Sequence, residues 1–196
     1  MAVADLLMTG ARILYSNTGV SLPSETSIAY GASWTSFTEL GILLEELRVN
    51  YRPILTGISP QNALGNVKAY RTNEVLTAEG LLGDFTGANL ALLTGGTNTT
   101  TAAGGAQKPY YNIVFGGQPA VTNKQWGFEG FRLDSSGNQQ PIRFFIFNGS
   151  IRMNGPMRLN KEGKLGLPFI IEGYHDPTLT VGQQLGRIHI VTGPTS

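Results

Sequence analysis

Polar and apolar residues alternate along much of this chain with period two, the spacing of a strand that buries one face. The run Glu46-Leu47-Arg48-Val49-Asn50-Tyr51-Arg52 alternates without a fault. It predicts a strand with Leu47, Val49 and Tyr51 turned to a core. Residues 66–72 and 74–82 continue in extended style beyond the turn-forming Gly57-Ile58-Ser59-Pro60-Gln61-Asn62, so the three stretches read as a long hairpin with a sizeable loop. Further strands are expected at 109–115, 126–133, 142–153, 165–174 and 186–191. They are punctuated by turn clusters such as Asp134-Ser135-Ser136-Gly137-Asn138 and Asn160-Lys161-Glu162-Gly163-Lys164. Ile142, Phe144, Phe145, Ile146 and Phe147 place apolar residues on both alternating sets. That strand is expected to be covered on two sides.

One segment carries helical signals. Thr86 to Leu93 is preceded by Asp84 and Thr86 as candidate N-caps and followed by Gly95 as C-cap. Little more than two turns long, it cannot stand alone in water, and Leu90 and Leu93 are expected to pin it to a sheet. The stretch Thr94 to Gln107 has no aliphatic side chain larger than Ala and reads as a long flexible loop, about 94–108. Many short strands with one short helix define an all-β fold, a sandwich or barrel with a helical flap.

Composition narrows the function. At 196 residues the chain fits one domain, 1–196, with an N-terminal arm of about 1–31. Charged residues are only 14%, well below the ~25% of an ordinary domain, while Gly and Pro fill 36 positions. A surface so short of charge, with mean hydropathy of -0.04, suits one largely covered by partners. There is no cysteine, which excludes disulfides, Cys-ligated metals and thiol nucleophiles. The N-terminal residues lack a basic leader and a long apolar stretch, and no window approaches a membrane helix, so the expectation is a protein made in the cytosol with no membrane anchor. A net charge of +1 and a pI near 8.0 are too balanced for general nucleic-acid binding. The charges are unevenly spread: residues 1–47 hold five acids against Arg12, and 131–196 hold seven bases against four acids. Opposite-signed ends suit head-to-tail self-association.

Catalytic constellations are missing. No two glycines stand two apart, which excludes G-x-G loops; Gly163-Lys164 is followed by Leu165 rather than Ser or Thr; and Gly57-Ile58-Ser59-Pro60-Gln61 fails the hydrolase elbow. His175 and His189 could ligate a metal only with further donors, and Asp176, next to His175, would point to the opposite side of an extended chain. Glu45/Glu46 and Glu25/Glu39 are carboxylate pairs with nothing else to make them glycosidase acids. Trp34 and Trp126 would serve as sugar platforms only if exposed, and tryptophan in a sandwich usually belongs to the core. No catalytic residue, cofactor or metal is expected.

From Trp34 onward the chain resembles the major tail proteins, or tail tube proteins, of long-tailed bacteriophages with non-contractile tails. The resemblance lies in the order and spacing of several stretches. These are a Pro23-bearing arm; Ala32-Ser33-Trp34 leading to Leu40-Gly41; Asn66-Val67-Lys68; Glu74-Val75-Leu76-Thr77-Ala78-Glu79; Asn89-Leu90-Ala91-Leu92-Leu93 running into Gly95-Gly96; and Lys161 to Phe169 followed by Glu172 to Asp176. It covers nearly the whole chain and implies a tube domain without the C-terminal immunoglobulin-like domain that some members carry. The implied architecture is a β-sandwich whose inner sheet joins its neighbours in a hexameric ring and completes a β-barrel around a lumen. Rings stack around a tape-measure protein, meet tail terminator and baseplate or tip proteins, and let DNA pass without specific binding. The implied setting is the virion, with assembly in the host cytoplasm.

On that reading Glu46, Arg48, Asn50, Arg52, Thr77 and Glu79 are candidates to face the lumen, where mixed charge wets DNA without holding it. Gly57, Ser59, Gln61 and Asn62 in the hairpin loop, and Thr97, Asn98 and Thr99 in the Gly/Thr-rich stretch, are candidates for ring stacking, together with the arms at 16–27 and 193–196. Two alternatives stay open. One is the inner tube of a contractile tail or secretion system; the other is a carbohydrate-binding β-sandwich that exposes Trp34 or Trp126.

Overall fold

A computed structural model describes residues 11–58, 68–106, 108–117, 122–133, 139–159 and 165–191. Among them are eleven strands and one helix. In chain order these are β1 (Arg12–Ser16), β2 (Thr38–Ile42), β3 (Arg48–Ile58), β4 (Lys68–Leu82), α1 (Gly87–Thr94), β5 (Thr97–Thr101), β6 (Tyr110–Val114), β7 (Lys124–Leu133), β8 (Gln139–Met153), β9 (Arg158–Leu159), β10 (Leu165–Gly173) and β11 (Gly186–Ile190). The chain is all-β with one short helix, and every strand pairing is antiparallel. The main sheet runs β2-β1-β7-β8-β10-β4-β3, with β11 also on β8 and β9 on β10; it does not close into a barrel within one copy.

β8 belongs to both halves of this sheet. Its first part pairs with β7 and β11, its second part with β10. The β7–β8 register slips between Lys124 and Trp126, and beyond it the core-facing set of β8 changes from Phe144 and Ile146 to Ile151 and Met153. An irregularity of this kind bends a strand and increases its twist. The backbone there leaves no room for a side chain: a Cβ on Gly149 would lie 2.8 Å from the Glu172 carbonyl oxygen. The bend folds the sheet over one core. Ile13, Leu40, Trp126 and Phe128 enter from the β2-β1-β7 half, and Leu76, Ala78, Leu82, Leu167, Phe169 and Ile171 from the β10-β4 half.

A second layer covers the other face of β8. Phe145 and Phe147 pack with Leu14 and Trp34; the arm adds Leu22 and Ile28, and Phe37 joins from beyond it. The expectation that 142–147 is covered on two sides is met in this way. Trp34 lies so close over Gly127 that a Cβ there would stand 2.3 Å from the indole ring.

The helix has the expected ends. Thr86 accepts a hydrogen bond from the Asn89 N–H at 3.1 Å, and Gly95 adopts φ 66°, a left-handed conformation natural to glycine. Leu90 and Leu93 are buried in the core, as their spacing predicts. Asn89 ties the helix to β2 by donating to the Leu40 carbonyl at 2.7 Å.

Three expectations need correcting. Residues 94–107 are not one flexible loop: Thr97–Thr101 form β5, paired with β6. β-branched threonines suit a pleated edge even where no large apolar residue marks the strand. Residues 68–82 are one strand of 15 residues rather than two. β3 runs through Pro53 to Ile58, which an edge strand permits because its outer amides need no partner.

Candidate functional site

The register of β3, β4, β10 and β8 builds a polar face from residues far apart in sequence. Directly opposed residues share a face. Arg48 stands opposite Glu79, Glu79 opposite Ile170, and Ile170 opposite Arg152; one step along, Asn50, Thr77, Glu172 and Ser150 form a parallel row. Arg52 follows on the same side, opposite Val75. Glu46, just before β3, reaches back to Arg48 with an ion pair of 2.9 Å. The structure therefore brings Glu46, Arg48, Asn50, Arg52, Thr77 and Glu79 together on one face. Leu47, by contrast, is fully buried, and Val49 packs against the core. Tyr51 departs from its expected core position: it is 49% exposed and lines a cleft.

Side-chain bonds knit this face into alternating charge. Arg152 pairs with Glu172 at 2.5 Å, Asn154 donates to Glu79 at 3.4 Å, and the Ser150 and Tyr174 hydroxyls lie 2.9 Å apart. The hydrogen bond to the Glu46 carboxylate, and then that carboxylate's charge, hold the Arg48 guanidinium above its ordinary pKa. The face thus carries Arg48, Arg52 and Arg152 against Glu46, Glu79 and Glu172. Arg152, Glu172 and Ser150 escape a reading of the sequence, because their place beside Arg48 and Thr77 exists only once the strand register is set.

Beyond Arg52 the β3–β4 hairpin leaves the body of the sheet, and every side chain from Tyr51 to Ile58 is exposed, as are those from Lys68 to Asn73. Gly57 lies in this hairpin; Ser59, Gln61 and Asn62 lie outside the described residues. Thr97, Asn98 and Thr99 sit elsewhere, on the β5–β6 hairpin beside α1. Thr97 and Thr99 are exposed, whereas Asn98 is half-buried near Gly87.

On the inner side of the hairpin root lies a cleft of about 590 Å³ lined by Tyr51, Leu76, Phe144, His175, Leu185 and Ile188. Tyr51 donates to Glu74 at 3.1 Å, and Arg71 pairs with the same carboxylate. Burial first, and then the hydrogen bond to Glu74, push the Tyr51 phenol up.

The later part of the arm is tied to the sheet; the other segment expected to stack, residues 193–196, lies outside the described residues. Arg143 and Glu129 are fully buried, and Arg143 reaches Glu129 at 2.8 Å, Glu25 at 2.5 Å and the Ile28 carbonyl at 2.6 Å. Glu129 also accepts from Arg12 at 2.8 Å and from the Gly31 N–H at 3.0 Å, and the Nδ1 of His189 lies 2.7 Å from Glu25. Residues 25–31 are thereby clamped to β7 and β8. The carboxylate pairs Glu25/Glu39 and Glu45/Glu46 do not act as pairs: Glu25 binds Arg143, Glu39 lies 3.6 Å from Arg12, and Glu46 binds Arg48.

Trp126 and Trp34 are 0% and 3% exposed. Trp126 donates to the Gly149 carbonyl at 2.9 Å, and Trp34 lies beneath the Arg143 and Arg12 guanidiniums at 5.5 and 5.9 Å. Neither ring is available as a platform for sugar, so the exposure of Trp34 or Trp126 that the carbohydrate-binding alternative required is not met. Among the described residues no three His, Asp or Glu side chains are grouped to hold a metal ion.

No protein-family model matches the chain, and no curated protein matches its sequence. Among the solved structures to which it is similar is a crystal structure of an Hcp protein, 14% identical, with 93% of this chain and 99% of that one covered and a TM-score of 0.39.

Proposed function

We propose that this protein is a structural subunit of a phage tail tube: copies join edge to edge in hexameric rings, and the rings stack around a tape-measure protein into a conduit for the genome. The single observation that carries this reading is the four-stranded polar face of Arg48, Asn50, Thr77, Glu79, Glu172 and Arg152, which ends at the unpaired edge of β3. A free edge of eleven residues offers unpaired amides and carbonyls to another strand, and closure of a ring would satisfy them. Balanced charge on the same face would line the lumen with groups that hydrate DNA without accumulating phosphate affinity.

The resemblance in sequence supports the same reading, as does the scarcity of charge on a surface that assembly would cover. The inner tube of a contractile tail or secretion system would share this architecture, and the company of a sheath protein distinguishes the two. Negative-stain microscopy of the purified protein over a concentration series, then with its tape-measure protein added, tests the proposal. Six-membered rings or hollow tubes are expected. A monomer under every condition, with no tubes after the tape measure is added, overturns it.

A further inference from the structure

The chain contains two Asn-Gly pairs, and the fold holds them in opposite ways. An asparagine followed by glycine is open to ring closure, because the next backbone nitrogen can reach the side-chain amide carbon when no Cβ stands in the way. Asn148-Gly149 lies inside β8. Gly149 is buried with Gly173 on one side and Lys124 on the other, and the Asn148 carbonyl accepts from the Tyr174 N–H at 2.7 Å, so this backbone is held extended. Asn154-Gly155 lies just past the end of β8, and both residues are exposed. Gly155 turns through φ 118°, a positive value that favours glycine, and a Cβ there would meet nothing closer than the Pro168 Cγ at 3.9 Å. The Asn154 side chain lies on the polar face, where its amide nitrogen donates to Glu79 at 3.4 Å.

We propose that Asn154 is a site of spontaneous deamidation, which changes the charge of the polar face as the protein ages. The Gly155 nitrogen, giving up its proton to solvent base, bonds to the Asn154 side-chain carbonyl carbon; the bond from that carbon to Nδ2 breaks, and ammonia leaves. Water then opens the resulting succinimide at either carbonyl, giving aspartate or isoaspartate. No electron is exchanged, and the reaction needs neither a partner nor assembly. Either product adds a carboxylate beside Glu79, and the amide that donated to Glu79 is lost, so a hydrogen bond between β4 and the end of β8 becomes a like-charge contact. The face that sets Arg48, Arg52 and Arg152 against Glu46, Glu79 and Glu172 turns acidic.

Trypsin separates the two pairs, since Phe144–Arg152 carries Asn148 and Met153–Arg158 carries Asn154. The full-length protein is held in mildly alkaline buffer, sampled over weeks and digested for mass spectrometry. Met153–Arg158 is expected to gain the mass of an amide turned acid roughly tenfold or more faster than Phe144–Arg152, whose pair reacts only when β8 opens. The product is expected to be a mixture of aspartate and isoaspartate peptides, resolved by chromatography and absent from Asn154→Gln. In strong denaturant the two peptides are expected to convert at similar rates. Equal rates in the folded protein overturn the proposal, and so does a product that is aspartate alone, which means direct hydrolysis without ring closure. A difference in rate that persists unchanged in denaturant overturns the part assigned to the fold.

Discussion

Arg143 and Glu129, neighbours across β8 and β7, form an ion pair of 2.8 Å in which neither side chain reaches solvent. The pair is completed by Arg12, Glu25 and the carbonyls of Ile28 and Ala29, so most of the donors on Arg143 are engaged. Removing one partner of such a pair leaves a buried charge without compensation, at a cost of about 3–5 kcal/mol. Arg143→Ala is expected to unfold at markedly lower denaturant. Arg143→Met with Glu129→Leu should recover much of that loss while freeing residues 25–31 from β8. Denaturant midpoints, together with limited proteolysis of the arm, measure both effects.

The contact of Trp34 with Gly127 gives a second expectation. A methyl group at 127 would overlap the indole ring, and overpacking of a filled core costs ~1–3 kcal/mol. Gly127→Ala should therefore destabilise the fold. Adding Trp34→Leu should make the second substitution less damaging than it is alone, an interaction energy that a double-mutant cycle reads directly.

Both ends of α1 depend on one residue each. Thr86→Ala removes the acceptor for the Asn89 N–H and is expected to cost about 1 kcal/mol. Gly95→Ala forces a side chain into φ 66° and should cost a similar amount, roughly 1 kcal/mol, although a Cβ there would meet no neighbour. Thermal unfolding of the two single variants checks both.

Alkaline titration provides a different probe. Burial raises the phenols of Tyr51 and Tyr30 above their ordinary value of 10.0, with Glu74 adding to the first shift and Glu129 to the second. The folded state thus holds these protons more firmly than the unfolded chain. Their contribution to stability is complete below the unfolded value near 10 and is lost as pH rises through the folded values. Tyrosinate absorbance should show late-ionising phenols in the native protein. Tyr51→Phe is expected to remove one of them and to make stability fall less steeply on the alkaline side.

These residues also mark what the sequence discloses. β7, β8, β10 and β11 follow from alternation and turn residues, and α1 from its caps. β1 does not, because Ile13 and Leu14 are buried in two different layers and the alternation vanishes. β5 is masked by its uniform threonines. Of the polar face, Arg48, Asn50, Thr77 and Glu79 are legible, since one perfect alternation and one hairpin place them. Glu172 and Arg152 depend on β10 lying between β4 and β8, an order set by tertiary packing. The buried pair gave only a faint signal: Arg143 interrupts an apolar run, and Glu129 sits inside a strand of aromatic residues and glycines.

The polar face makes the sharpest functional prediction. Its acids and bases balance at three each, so phosphate gains no net attraction from it. Glu46→Lys with Glu79→Lys changes the charge of every subunit by four and frees Arg48 from its carboxylate partner. In the proposed tube, where the change repeats around each ring, it would turn a hydrated passage into a polycationic channel whose hold on DNA weakens as salt rises. Particles carrying the double variant should assemble tubes, since both positions lie off the core, yet eject DNA slowly, with the defect relieved at higher ionic strength. Glu46→Gln with Glu79→Gln, which removes the two acids without adding bases and so changes the charge by half as much, should give a smaller defect in the same direction. Ejection timed by a DNA-binding dye at several salt concentrations measures it, and normal ejection from Lys-bearing tubes would remove this face from the lumen.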